Sequence, residues 1–175
     1  GVLTVGLGAV ASTLIAGVEL AKRGLGSPIG SLAQMDTIRL GKRTDNRNPM
    51  IKDFVPLARL EDIVWGAWDP FPDDAYVAAT RAGVLESGKH LEAISDTLRA
   101  IRPMKAAFER NYVKNIDADN IMGKISKREM LNAIRADINK FRDEKKVDRV
   151  VMIWCASTEI FIEPGPQHQN IESFE

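Results

Sequence analysis

Six residues near the start of the chain have the spacing of a phosphate cradle. Gly6-Leu7-Gly8-Ala9-Val10-Ala11 fits G-x-G-x-x-G/A and lies between a strand-like run and a helix-like one, the context this pattern needs. Gly6 would permit a tight turn, Gly8 would bare the backbone to a pyrophosphate, and Ala11 would let helix and strand pack closely. The amides of Val10, Ala11 and Ser12 are then expected to face an anion at the positive end of the helix, with the Ser12 and Thr13 hydroxyls as added donors. The plainer alternative is a glycine turn that binds nothing. A dinucleotide site of this kind also needs an acidic side chain for the ribose hydroxyls, about 20 residues on. None stands there: Asp36 falls in an irregular stretch, and Asp69, which closes the next apolar run, is the better candidate. The competing role for Asp69 is a turn or helix-capping aspartate before Pro70.

Other reactive side chains are few. Cys155 is the single cysteine, so no internal disulfide or Cys-rich zinc site can form. Neither His90 nor His168 is recognisably paired with it as a base, and neither has a metal-ligand partner at helical spacing, so no metal ligand is assigned. Cys155 is read as a structural or cleft-lining residue. Arg39, Lys42, Arg43 and Arg47 form a local basic run, read as a solvated loop. The charges at 127–146 read as the outer side of an amphipathic helix.

The elements that must hold the cradle follow from the apolar pattern. Residues 2–5 read as a strand, and Val10, Leu14, Val18 and Ala21 recur at helical spacing until Gly24 and Gly26. Residues 27–59 lack a sustained period and read as a long excursion with short strands, a length that often marks function or a partner surface. Residues 60–69 (LEDIVWGAWD) read as a second strand, and Asp73 or Asp74 is placed to cap a helix running to Leu85. A further helix is expected over 92–110, interrupted at Pro103. Ser126-Lys-Arg-Glu129 is a capping box, followed by the stripe Met130, Leu131, Ile134, Ile138 and Phe141. Residues 150–154 form an apolar run expected to be a strand buried on both faces, and Trp65, Trp68 and Trp154 are expected in the core. Strands alternating with helices give an α/β fold, a parallel sheet with helices on both faces. The strand ends near Gly6, Asp69 and Cys155 would then share one edge.

Composition narrows the function classes. At 175 residues one domain is the default. Lys plus Arg and Asp plus Glu are both 24, so the formal net charge is 0 and a general nucleic-acid or anionic-membrane binder is disfavoured. With 45% hydrophobic and 27% charged residues, the chain is that of a folded protein rather than a disordered one. No run approaches the roughly 20 apolar residues of a membrane span. A cytoplasmic protein is expected. The first residue is not Met and the last residues form no closing element, so the chain is expected to be one piece of a longer polypeptide.

Four blocks together carry a resemblance: Gly-Leu-Gly-Ala-Val-Ala-Ser-Thr (6–13), Gly-Ser-Leu-Ala-Gln-Met-Asp-Thr-Ile-Arg-Leu-Gly-Lys (30–42), Gly-Ala-Trp-Asp (66–69) and Trp-Cys-Ala-Ser-Thr-Glu (154–159). In this order and spacing the chain resembles, over essentially its whole length, the N-terminal half of the myo-inositol-1-phosphate (inositol-3-phosphate) synthase family in its bacterial form. The resemblance implies that residues 1–175 are a Rossmann-like NAD-binding domain, with a catalytic and tetramer-forming domain beyond residue 175. It implies NAD as cofactor, glucose 6-phosphate as substrate, 1D-myo-inositol 3-phosphate as product and a homotetramer. The sugar would be oxidised, enolised, closed by an intramolecular aldol step and reduced again, with no net redox change. By position the resemblance assigns Gly6, Leu7, Gly8, Ala9, Val10, Ala11 and Ser12 to the pyrophosphate, and Asp69 to the adenosine ribose. Cys155, Ala156, Ser157 and Thr158 would line the cofactor, with Asp117 and Asn120 near further polar contacts. Ala9-Val10-Ala11 lacks the Asn side chains that many eukaryotic relatives carry in this loop. The family's catalytic lysines lie past the end of the chain, so no catalytic residue is assigned here. Two other readings share the glycine loop: an NAD(P)-linked dehydrogenase with net hydride transfer, and a nucleotide-sensing module without chemistry.

Overall fold

The computed structural model describes residues 1–175 except 86–87, 111–112, 114–115, 157–162 and 175. In chain order the main elements are β1 (Val2–Val5), α1 (Ala9–Lys22), α2 (Leu32–Met35), α3 (Ile51–Phe54), β2 (Trp65–Asp69), α4 (Ala75–Ala82), α5 (Gly88–Ala93), α6 (Ser95–Ala100), β3 (Met104–Lys105), α7 (Lys127–Lys145), β4 (Val151–Trp154) and α8 (Ile171–Phe174). The strands form one sheet in the order β3-β2-β1-β4. All pairings are parallel, with Val2 opposite both Trp65 and Val151 and Val5 opposite both Trp68 and Trp154.

Alternation along β1 sends Leu3 and Val5 to one face and Val2 and Thr4 to the other. On the Thr4 face, α1, α4 and α6 enclose Leu7, Ala11, Ile15, Trp65, Ala67, Ala75, Ile94 and Leu98. On the Leu3 face, α7 lays Phe141 over Leu3 and Trp68. Helices therefore cover both faces, as expected of the α/β class. Gly66 makes the α7 contact possible: a Cβ there would stand 2.7 Å from Leu3 Cδ2 and 3.0 Å from Phe141 Cε2. Asp137 of α7 accepts a 2.9 Å bond from Trp68 Nε1, fixing that helix along β2. The capping box is present, with Ser126 Oγ accepting from the Glu129 amide and the Glu129 carboxylate accepting from the Ser126 amide. Hydrogen bonds from the Ser126 amide and the Ser126 hydroxyl hold the Glu129 carboxyl below the ordinary glutamate range.

Several expectations are corrected. The inward side of α1 is Ala11, Ser12, Ile15, Ala16, Glu19 and Leu20, whereas Val10 is 64% exposed and Leu14 faces outward. Small residues and a paired glutamate face the sheet, and this pattern is not a plain apolar stripe. The second strand is shorter than expected, because residues 60–62 form a 3-10 turn before it. The helix expected over 92–110 is instead α5, α6 and the short strand β3. Pro103 lacks an N–H and turns the preceding residue away from helix, which ends α6 and opens β3. The helix after Asp74 stops at Ala82, where Gly83 takes a left-handed conformation. β4 is not buried on both faces: Val151, Met152 and Trp154 are 56%, 53% and 66% exposed, so Trp154 is no core residue. Trp65 and Trp68 are buried as expected.

The excursion carries α2, α3 and an isolated antiparallel bridge between Thr37 and Met50 rather than strands of the main sheet. No helix is long and apolar enough to cross a membrane among the described residues.

Candidate functional site

β1 ends at Val5 and the chain turns at once into α1, so Gly6, Leu7 and Gly8 cross the carboxyl edge of the sheet between β1 and its two neighbours. The Gly6 amide bonds the Trp68 carbonyl on one side, and the Cys155 amide bonds the Val5 carbonyl on the other, both at 2.8 Å. Gly6 has φ +97°, and a Cβ there would lie 3.0 Å from the Ala156 nitrogen. Only glycine suits both the dihedral and that close approach. Gly8 differs: a Cβ on it would meet no protein atom within 4 Å. Its bare face opens into a cleft of about 310 Å³ whose walls include Gly6, Gly8, Ala9, Asp69, Cys155 and Ala156.

The predicted site residues are therefore brought together from three strand ends, with these distinctions. Leu7 lines the cleft with its backbone while its side chain is buried in the core. Ala11 is fully buried against the sheet, the role expected of the third small residue. The Ser12 amide bonds the Gly8 carbonyl at 3.0 Å, and its hydroxyl donates to the same carbonyl at 2.8 Å. The Thr13 hydroxyl donates to the Ala9 carbonyl at 2.6 Å. Both hydroxyls close the first turn of α1 and are not aimed at a ligand, which corrects the expectation of added donors. A helix leaves its first amides without intrahelical partners, so Val10 and Ala11 keep N–H groups directed past the N-terminus. Ser157 and Thr158 lie outside the described residues.

Asp69 serves the loop directly. Its Oδ2 accepts from the Leu7 amide at 2.6 Å and its Oδ1 from the Phe71 amide at 2.9 Å. The turn role weighed for this residue is thus real, and the same carboxylate also lines the cleft. Asn120 braces the strand end behind it, donating from its side-chain amide to the carbonyls of Asp69 at 2.8 Å and Met104 at 3.1 Å. Asp117 instead pairs with Arg110 at 3.0 Å and is almost wholly exposed. Burial pushes the Cys155 thiol up, so it is a protonated wall and a poor nucleophile. Among the described residues no group of three or more His, Cys, Asp or Glu is placed to hold a metal ion.

The sequence reading missed part of the wall. Phe71, Asp73, Ala78, Arg81 and Ala82 also line the cleft. The signal was the Asp74 cap, whose carboxylate accepts from the Val77 amide at 3.0 Å. Once that residue starts the helix, 78, 81 and 82 share one face. Arg81 bonds Asp73 at 2.6 Å across this rim.

Comparison with known proteins gives one answer. The NAD-binding family described as myo-inositol-1-phosphate synthase matches residues 1–175, which makes NAD the cofactor of this family's matching region. Inositol-3-phosphate synthase 1 of Bacteroides thetaiotaomicron is 44% identical over 176 residues, covering 100% of this chain and 40% of that protein. Inositol-3-phosphate synthase 1 of rice, Oryza sativa subsp. japonica, is 30% identical and aligns with 91% of this chain and 34% of its own length. The crystal structure of inositol-3-phosphate synthase from Caenorhabditis elegans superposes with a TM-score of 0.81 at 26% identity, covering 95% of this chain and 36% of that one. The chain spans two fifths or less of the length of these relatives. A parallel sheet in this order, a bare glycine loop over its edge and a match along the whole sequence place the chain in the myo-inositol-1-phosphate synthase family.

Proposed function

We propose that residues 1–175 form the NAD-holding domain of an enzyme that converts glucose 6-phosphate to 1D-myo-inositol 3-phosphate, working as a cytoplasmic homotetramer. The observation that carries the reading is Gly8: the space a Cβ would occupy is open cleft, bounded by the first turn of α1 and by Asp69. This fits a pyrophosphate, which needs bare backbone amides at a helix N-terminus and tolerates no side chain between. NAD supplies a hydride acceptor and, later in the same cycle, a hydride donor.

The chain's own residues then have separate tasks. Gly6 and Gly8 bring backbone to the diphosphate, and the amides of Val10 and Ala11 donate to it. Leu7 is held in place by Asp69, whose spare lone pairs accept from the adenosine ribose. Ala9, Cys155 and Ala156 form an apolar wall of the cleft. None of these groups abstracts a proton or attacks the sugar. Catalysis belongs to residues outside this chain, which agrees with the share of the relatives it covers.

The test uses the complete protein. Glucose 6-phosphate should be consumed with formation of an inositol phosphate and without net growth of the nicotinamide absorbance band. Stoichiometric NADH release would instead identify a dehydrogenase. Gly8→Val should leave folding intact, because a Cβ there meets no protein atom within 4 Å, yet remove NAD binding measured by calorimetry. Unchanged affinity would reject the pyrophosphate assignment.

A further inference from the structure

The adenosine end of the cleft holds an arrangement that bears on which dinucleotide it accepts. Sites with a carboxylate at this strand end take the ribose 2′-hydroxyl of NAD, and sites with a nearby arginine take the 2′-phosphate of NADP. This cleft has both, since Asp69 and Arg81 line the same wall. Arg81 is also the one cation among the cleft's described lining residues, and its guanidinium is the natural partner for a phosphate dianion. It is already engaged: its Nη2 lies 2.6 Å from Asp73 Oδ2. Asp73 stands in the turn immediately before α4 and Arg81 two helical turns along, so the pair lies along the rim of the cleft.

We propose that Asp73, by holding Arg81, makes this cleft select NAD over NADP. The inference rests on the placement of NAD in this cleft. A 2′-phosphate in the cleft that Asp69, Asp73 and Arg81 line would share it with two carboxylates and a guanidinium paired to one of them. Removing Asp73 deletes one repulsive charge and frees a five-donor cation in a single step. Selectivity here is built from repulsion as much as from attraction. The Arg81 side chain is 63% exposed and that of Asp73 31%, so the pair contributes little to folding and its loss leaves the domain intact.

The experiment compares the full-length wild type with Asp73→Ala, Asp73→Asn and the double variant Asp73→Ala/Arg81→Ala. Calorimetry reads the ratio of the NADP and NAD dissociation constants, which general damage to the site would leave unchanged. The ratio should fall by about tenfold or more in Asp73→Ala, the effect of one new charge-assisted contact. It should fall similarly in Asp73→Asn and return toward the wild-type value in the double variant. A ratio unchanged in Asp73→Ala, with NAD still bound by the wild type, overturns this inference alone. A ratio that falls equally in the double variant overturns it too, since Arg81 would then play no part. Failure of the wild type to bind NAD would remove the cofactor placement and this inference with it.

Discussion

The Asp69 carboxylate has lone pairs enough for both the loop it fixes and the ribose contact proposed for it. Each oxygen offers two acceptor sites, and the Leu7 and Phe71 amides occupy one apiece. Two remain for ribose hydroxyls, so the residue can fix the loop and read the sugar together. Asp69→Ala should therefore weaken NAD by about tenfold to a hundredfold, a charge-assisted hydrogen bond of about 1.5–3 kcal/mol, part of it lost through a loosened Leu7. ADP-ribose should lose as much and nicotinamide mononucleotide less, because the ribose contact sits at the adenosine end and only the loosened Leu7 reaches the phosphate loop. Equal NAD affinities in variant and wild type would reject the role. The glycines and Asp69 were legible in the sequence, since their spacing and position after an apolar run follow from backbone needs. The Ser12 and Thr13 hydroxyls were not: a side chain that can bond the carbonyl four residues back has a local option, and spacing alone does not reveal which option wins. Arg81 was missed for another reason, because its place on the cleft depends on which of Asp73 and Asp74 begins α4.

The elements show the same division between what periodicity encodes and what packing decides. The capping box and the amphipathic α7 were readable because their signals are local. The inward face of α1 was misread because Glu19 lies on it, 3% exposed, among alanines. Glu19 accepts from Lys22 Nζ at 2.6 Å, Trp65 Nε1 at 2.9 Å and Arg23 Nη1 at 3.0 Å. Lys22 continues to the Ile63 carbonyl and Arg23 to the Thr97 hydroxyl, tying α1 to the segment that leads into β2 and to α6. Burial pushes this carboxyl up, but the Lys22 ammonium, the Trp65 N–H and the Arg23 guanidinium outweigh it. The net shift is below the ordinary value of 4.5. A group whose folded pKa is depressed adds stability that is full above its unfolded value and fades as pH falls through the folded one. Glu19→Gln should thus cost about 2–3 kcal/mol at neutral pH, below the full figure for a wholly buried pair because Arg23 reaches solvent. Urea unfolding should show the gap between wild type and variant narrowing as pH drops below 4.5. A gap constant across that range would show that shape, not charge, holds the cluster.

At the scale of the whole molecule, strand order places the cleft. β1 has β2 on one side and β4, which the chain reaches only after β3, on the other, so the strand order reverses at β1 and a crevice opens above its end. That crevice is where Gly6 touches the backbone of Ala156. The same order leaves β4 at an edge, and register gives its exposure a meaning. Met152 and Trp154 align with Leu3 and Val5, on the face that α7 covers. α7 sits over β1 and β2, which leaves those two side chains more than half exposed. The apolar run was read correctly as a strand, but its surroundings cannot be read from its own residues. A parallel strand of this composition normally has neighbours on both faces, and an exposed apolar edge templates pairing with another chain. The 175-residue polypeptide produced alone should therefore self-associate through β4, with elution volume falling as concentration rises in size-exclusion chromatography. Met152→Lys puts a charge on that edge without touching the core, and should return the polypeptide to a concentration-independent monomer. If the unsubstituted polypeptide elutes as a monomer at all concentrations, the edge is protected by some feature other than the composition of β4. If the lysine variant still associates, the contact lies elsewhere, and the exposed apolar residues of the excursion, Ile29 and Leu32 foremost, become the surface to substitute next.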